Sequence, residues 1–229
     1  MPLFGRSQGG LIGEPDTGSH KVTLTRTTPE VSLTRQGSAT GTLRVNLHWN
    51  QHYEEAPARP RGGLFRPLQV QAPPLPQKID LDLGCMWELA DGSKGVVQAL
   101  GNLYGDFNAT PFVRLDHDDR TGSASGETMF INLDQWRLMK RLLIFVYIYD
   151  GTPAFDQANG VVSLFPNAGR PIEVRLDERS SGAKTCAVAL VENHGDDVTV
   201  RRVVRYLDGF QAELDRAFGW GLVWARGYK

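Results

Sequence analysis

The stretch "LDHDDRTGSASGE", residues 115–127, places Asp116, Asp118, Asp119 and Glu127 in one turn region with Thr121, Gly122, Gly126 and two serines. Four carboxylates so close together repel. Such a segment is either a solvated loop or a site for a hard cation. Ca²⁺ takes roughly six to eight oxygens at about 2.3–2.6 Å, from carboxylates, carbonyls and water. Aspartate suits that work because its carboxylate lies close to the backbone, and glycine lets the chain fold around an ion. Asp116 and Glu127 even stand first and last in a span of twelve residues, like the ends of an EF-hand loop. The likeness stops there: Arg120 fills the fifth position, Gly122 the seventh, and both flanks alternate like strands. The loop alone leaves both readings open.

A second acidic pair, Asp80 and Asp82 in "KIDLDLG", falls on one face of a strand, since side chains two apart point the same way. Two acids on one face of an otherwise apolar strand favour a shared cation, unless that face is simply wet. "DHDD" also admits a metal-dependent hydrolase built on Asp116–Asp119 with His117 as a ligand. His20, His48, His52 and His194 show no ligand spacing, however, and His117 reads as a solvent-facing loop residue. There is no G-x-S-x-G elbow, Walker loop or dinucleotide fingerprint.

These residues need a scaffold, and the sequence describes a β one. Three alternating segments, "KVTLTRT", "EVSLTRQ" and "GTLRVNLHW", precede a proline-rich stretch, residues 51–77, that holds six of the 13 prolines and reads as an extended linker or surface loop. From Lys78, nine further strand-like segments follow at short intervals, separated by turns such as "ADGSKG" and "NHGDD". "LLIFVYIY" is apolar throughout, as a central strand covered on both faces would be. The pattern predicts a mainly β fold, a β-sandwich of mixed or antiparallel strands. Leu207, Phe210, Leu214 and Phe218 predict one C-terminal helix over 206–218. Residues 1–20 read as a flexible lead-in, and 21–229 as a single sandwich domain interrupted by the 51–77 insertion.

The 229 residues carry a net charge of −1, with no global reason to expect nucleic acid or an anionic membrane as partner. No apolar run reaches the roughly 20 residues of a membrane span, and the N-terminus lacks a signal-peptide layout. The two cysteines, Cys85 and Cys186, lie in apolar strand-like segments and read as inert core thiols in a reducing cytoplasm. Trp87, Trp136, Trp220 and Trp224 read mostly as core. Exposed instead, they would suit a calcium-dependent carbohydrate-binding module. Arg201, Arg202 and Arg205 read as a solvated strand face.

"IDLDLGCMWEL", "HDDRTGSASGETMFINL", "LLIFVYIYDG" and "VRLDERSSGAKTCAVALVENHGDDVTVRRV", in this order, resemble the TerD family of tellurite-resistance and stress proteins. "EVSLTRQGSATGTLRVNLHWN" is similar to the family's opening, and the insertion resembles a TerA-like member more than a minimal TerD. The resemblance implies a Ca²⁺-binding sandwich that is not an enzyme, with ligands at Asp80, Asp82, Asp118, Asp119 and Glu127. Backbone oxygens near Thr121–Ser123 would complete the shell around Gly122, and Asp150 is a further candidate. Relatives carry more acids where this chain has "SASGE", and Asp116 is placed to compensate. The implied role is a structural or interaction module with protein partners, in a membrane-associated or multi-protein stress complex.

Overall fold

The computed structural model describes residues 21–50, 52–53, 77–116, 126–151, 155–180 and 182–224. In chain order its strands are β1 (Val22–Thr23), β2 (Glu30–Ser32), β3 (Thr42–His48), β4 (His52–Tyr53), β5 (Gln77–Leu89), β6 (Lys94–Gln98) and β7 (Gly105–Asp106). Then come β8 (Val113–Leu115), β9 (Glu127–Asn132), β10 (Met139–Gly151), β11 (Gly160–Phe165), β12 (Ile172–Leu176), β13 (Thr185–Asn193) and β14 (Val198–Leu207). A 3₁₀ turn spans Leu133–Leu138, and two short helices are α1 (Phe155–Ala158) and α2 (Gln211–Phe218).

Two sheets share these strands. One runs β1-β12-β11-β3-β9-β8-β7, the other β2-β14-β13-β10-β5-β4, with β6 also on β5. Pairing is antiparallel apart from β1 with β12, so the expected mixed or antiparallel sandwich is what forms. Alternation decides the packing. Leu43, Val45 and Leu47 of β3 and Met129 and Ile131 of β9 meet Ile79, Leu81, Leu83 and Cys85 of β5 in one core between the sheets. β10 lies between β13 and β5, and its even-numbered residues from Leu142 to Ile148 enter this core.

The odd residues of β10, Leu143, Phe145 and Tyr147, fill a second core on the outer face of the same sheet, with Met86, Leu214 of α2 and Trp220. Double coverage explains the unbroken apolar run. Gly84 serves this second core: a Cβ there would stand 2.3 Å from the Phe145 ring, so the ring packs onto bare backbone.

Three expectations need correction. The C-terminal helix starts at Gln211, not at 206, because Tyr206 and Leu207 complete β14 by pairing with Cys186 and Thr185. The 51–77 segment contributes a strand, β4, whose His52 and Tyr53 pair with Lys78 and Gln77 at the sheet edge; its prolines lie outside the described residues. The basic run is not merely solvated. Arg202 is largely buried and binds Glu178 at 2.7 Å, while Arg201 binds Glu192 at 3.1 Å. Both cysteines are fully buried, and burial raises their thiol pKa values, as inert core thiols require. Trp49 and Trp220 are core residues, and Trp87, Trp136 and Trp224 are half-buried.

Candidate functional site

β5 positions the strand acids. Its odd residues point between the sheets, so Asp80 and Asp82 share the opposite face with Gly84 and Met86. That face is not wet: Asp80 is 3% exposed and Asp82 0%. Asp82 lies opposite Tyr147 on β10, and Asp80 opposite Asp150. Burial first, and then the negative charges of Asp82 and Glu127, raise the Tyr147 phenol above its ordinary pKa. The hydroxyl therefore stays protonated beside two carboxylates.

Glu127 arrives from the other sheet. It opens β9, faces inward and is also 0% exposed. One oxygen, Oε2, accepts the Leu83 amide of β5 at 2.6 Å. The reason lies in the edges of β5. One edge is paired with β10 along its length. The other pairs with β4 at residues 77–78 and with β6 at 84–88, which leaves 79–83 without a strand among the described residues. Glu127 caps the Leu83 N–H in that gap, and the Trp49 indole caps the Ile79 carbonyl at 3.1 Å. These side chains do what a neighbouring strand would otherwise do.

The acidic turn is mounted on the β8–β9 hairpin. Asp116 follows β8, is exposed, lies 3.8 Å from Arg114 and donates its amide to Thr128 O at 2.8 Å. At the other end, Gly126 has φ +60°, and a Cβ there would stand 2.0 Å from Leu47 O, so the hairpin lies directly on β3. Asn46 of β3 fastens it by donating to Glu127 O at 3.2 Å and Thr128 Oγ1 at 3.1 Å.

Gly126→Ala is therefore expected to cost about 2 kcal/mol or more. Gly92→Ala, at φ +86° with nothing within 4 Å, should cost only about 1 kcal/mol in strain. Urea unfolding of the two variants separates close approach from backbone conformation. Equal losses would show that contact with Leu47 does not matter.

Of the eight candidate ligands, Asp80 and Asp82 lie on β5 and Glu127 reaches its Leu83 amide, all three buried. Asp150 stands at the end of β10, exposed, its Oδ1 accepting the Gly151 amide at 2.9 Å. Asp116 sits at the root of the turn. Asp118, Asp119 and Gly122, like His117, fall outside the described residues. Among the described residues, no three histidine, cysteine or acidic side chains are grouped so as to hold a metal by themselves. The donors that do gather are hard oxygens, which fit Ca²⁺ and not a soft metal.

Sequence reasoning missed Tyr147, Trp49 and Asn46. Tyr147 was within reach, as a hydroxyl in an apolar run opposite an aspartate. The other two carry no local signal: Trp49 works at the stretch of β5 that no described strand pairs, and Asn46 only where β9 lies beside β3.

Comparison with known proteins places the chain. It is 41% identical over 210 residues to the tellurium resistance protein TerA of Alcaligenes sp. The match takes in 91% of this chain and 58% of that protein, so the chain spans little more than half the length of this relative. No protein-family model matches. Among solved structures, a homologue of the telluride resistance protein TerD from Streptomyces coelicolor A3(2) superposes with a TM-score of 0.50 at 22% identity. The overlap covers 76% of this chain and 94% of that one, a likeness of fold. In sequence the chain is similar to a tellurium-resistance protein of the TerA type, and in fold to a TerD homologue.

Proposed function

We propose that this chain is a calcium-binding β-sandwich module of a tellurium-resistance protein. In this reading it is cytoplasmic and non-catalytic, and it acts as a structural or interaction unit among protein partners. One observation carries the reading: three carboxylates, Asp80 and Asp82 on β5 and Glu127 at its Leu83 amide, are buried along one strand. Buried carboxylates are costly and accumulate where a positive charge offsets them. The remaining ligands would come from Asp118, Asp119 and backbone oxygens of 121–123, with Asp116 and Asp150 at the margin. When bound, the ion supplies counter-charge and ties the hairpin turn to β5. Glu127 fixes the relative height of the two sheets through Leu83, and Tyr147 presents a neutral hydroxyl to Asp82.

The role in tellurium resistance rests on the similarity to the TerA relative and on its name. No helix among the described residues is long and apolar enough to cross a membrane.

The test is calorimetric titration of chelator-stripped protein with Ca²⁺. Saturable binding and a rise in melting temperature are expected. Absence of both heat and melting shift at millimolar Ca²⁺ would remove the reading.

A further inference from the structure

A second feature lies on the same sheet but away from these acids. A cavity of about 560 Å³ opens between β6, the connection that follows it and the chain after α2. Its walls are Trp87 and Val96, then Leu100 and Leu103, then Leu222 and Trp224. The volume falls within the roughly 300–1,000 Å³ of small-molecule sites, and its lining is mostly apolar and aromatic, as theirs is.

The wall is built in advance. Asp215 of α2 is buried, and its carboxylate accepts three N–H groups of the tail: Gly221 N at 2.8 Å, Leu222 N at 2.7 Å and Trp224 Nε1 at 3.0 Å. Trp220 donates Nε1 to Trp87 O at 3.0 Å, and Lys94 donates to Trp220 O at 3.0 Å. Gly95 makes room for this wall: a Cβ there would stand 2.4 Å from the Trp87 ring, which packs on the bare backbone of β6. A ligand entering such a slot orders little that is not already ordered.

The lining carries polarity as well. Gln98 and Gln211 each border the cavity at 4% exposure. The Leu100 carbonyl can only accept, so Gln98 turns Nε2 towards it, at 3.1 Å, and presents Oε1 to Gln211. Gln211 must then give Nε2 to Gln98, at 3.0 Å, which sets its own Oε1 as an acceptor that no described residue satisfies. That oxygen is not sealed from the cavity, so a water or a ligand donor there can reach it.

We infer that this cavity binds a small planar aromatic molecule bearing one hydrogen-bond donor, held between the Trp87 and Trp224 indoles and donating to Gln211 Oε1. Indole and benzothiophene are matched probes, of nearly equal size, with an N–H in one where the other has sulfur. Ligand-observed NMR titrations on the full chain are expected to show saturable binding of both, with indole about tenfold tighter. Gln211→Leu should bring the ratio to about one while benzothiophene still binds. Val96→Phe, with an unchanged melting temperature, should weaken both more than tenfold by filling the slot.

Failure of either probe to bind at millimolar concentration, or equal affinities in the parent chain, would overturn the inference. So would sedimentation showing self-association that Val96→Phe dissolves, since a second copy would then be the occupant. Binding that appears only when residues 225–229 are removed would assign the slot to the chain's own end. None of these readouts depends on Ca²⁺, so the metal reading stands or falls separately.

Discussion

Asp82→Asn is expected to change protein stability in opposite directions with and without calcium. Asp82 is fully buried, shares its face with Asp80 and lies close enough to Glu127 for both to act on the Tyr147 hydroxyl. In chelator the carboxylate therefore adds like-charge repulsion and a desolvation cost. Asparagine keeps the shape and carries no charge, so the stripped variant should be more stable by about 1 kcal/mol.

With Ca²⁺ the sign reverses. An ion present at about a hundred times its dissociation constant stabilises the parent chain by roughly 2.7 kcal/mol, some 5–10 °C in melting temperature for a chain of this length. A neutral ligand at position 82 should forfeit most of that. Calorimetric melts in chelator and in millimolar Ca²⁺ check both halves. A variant destabilised equally in both conditions would mean that Asp82 serves packing or hydrogen bonding alone.

The local pattern of the sequence carries much of this site. The period-two alternation of "KIDLDLG" puts Asp80 and Asp82 on one face, and the apolar run 142–149 marks β10 as the covered strand. What it cannot convey is depth. The same alternation describes a wet face and a buried one, and only the fold shows that this one is dry. Glu127 shows the same limit. It reads as the end of an acidic loop, yet its carboxylate reaches the Leu83 amide, 44 residues away, at an edge that no described strand pairs. The start of α2 was misplaced for a related reason. Leu207, Phe210, Leu214 and Phe218 have helical spacing, but Leu207 is drawn into β14 by its pairing with Thr185, and tertiary pairing outweighs local periodicity.

The second large effect should come from acid. Glu88, on β5 at 3% exposure, accepts from Lys140 at 2.8 Å and Arg141 at 2.6 Å, with Lys94 at 3.7 Å. Burial alone would raise its pKa, but the hydrogen bonds and charges of these cations outweigh burial and hold it at about 2. The native value thus lies below the roughly 4.3 of an unfolded glutamate. A depressed carboxylate contributes its stability in full above the unfolded pKa and loses it as pH falls through the native one. The window runs from about pH 4.5 down to about 2. Lys140 is 60% exposed, so solvent screening reduces the contribution to about 2 kcal/mol.

Glu88→Gln should be less stable than the parent by about that amount at pH 7, and the gap should be roughly halved by pH 3. Glu173 and Glu178 also titrate below their usual range, but they do so in both proteins and cancel in the difference. The loss should extend to α2, because Arg141, besides binding Glu88, stacks 3.9 Å above the Trp220 ring and donates to Phe218 O at 3.3 Å. Urea unfolding of both proteins across pH 7 to 3 is the measurement. A gap independent of pH would show that the shape of Glu88, and not its charge, holds β5, β10 and the end of α2 together.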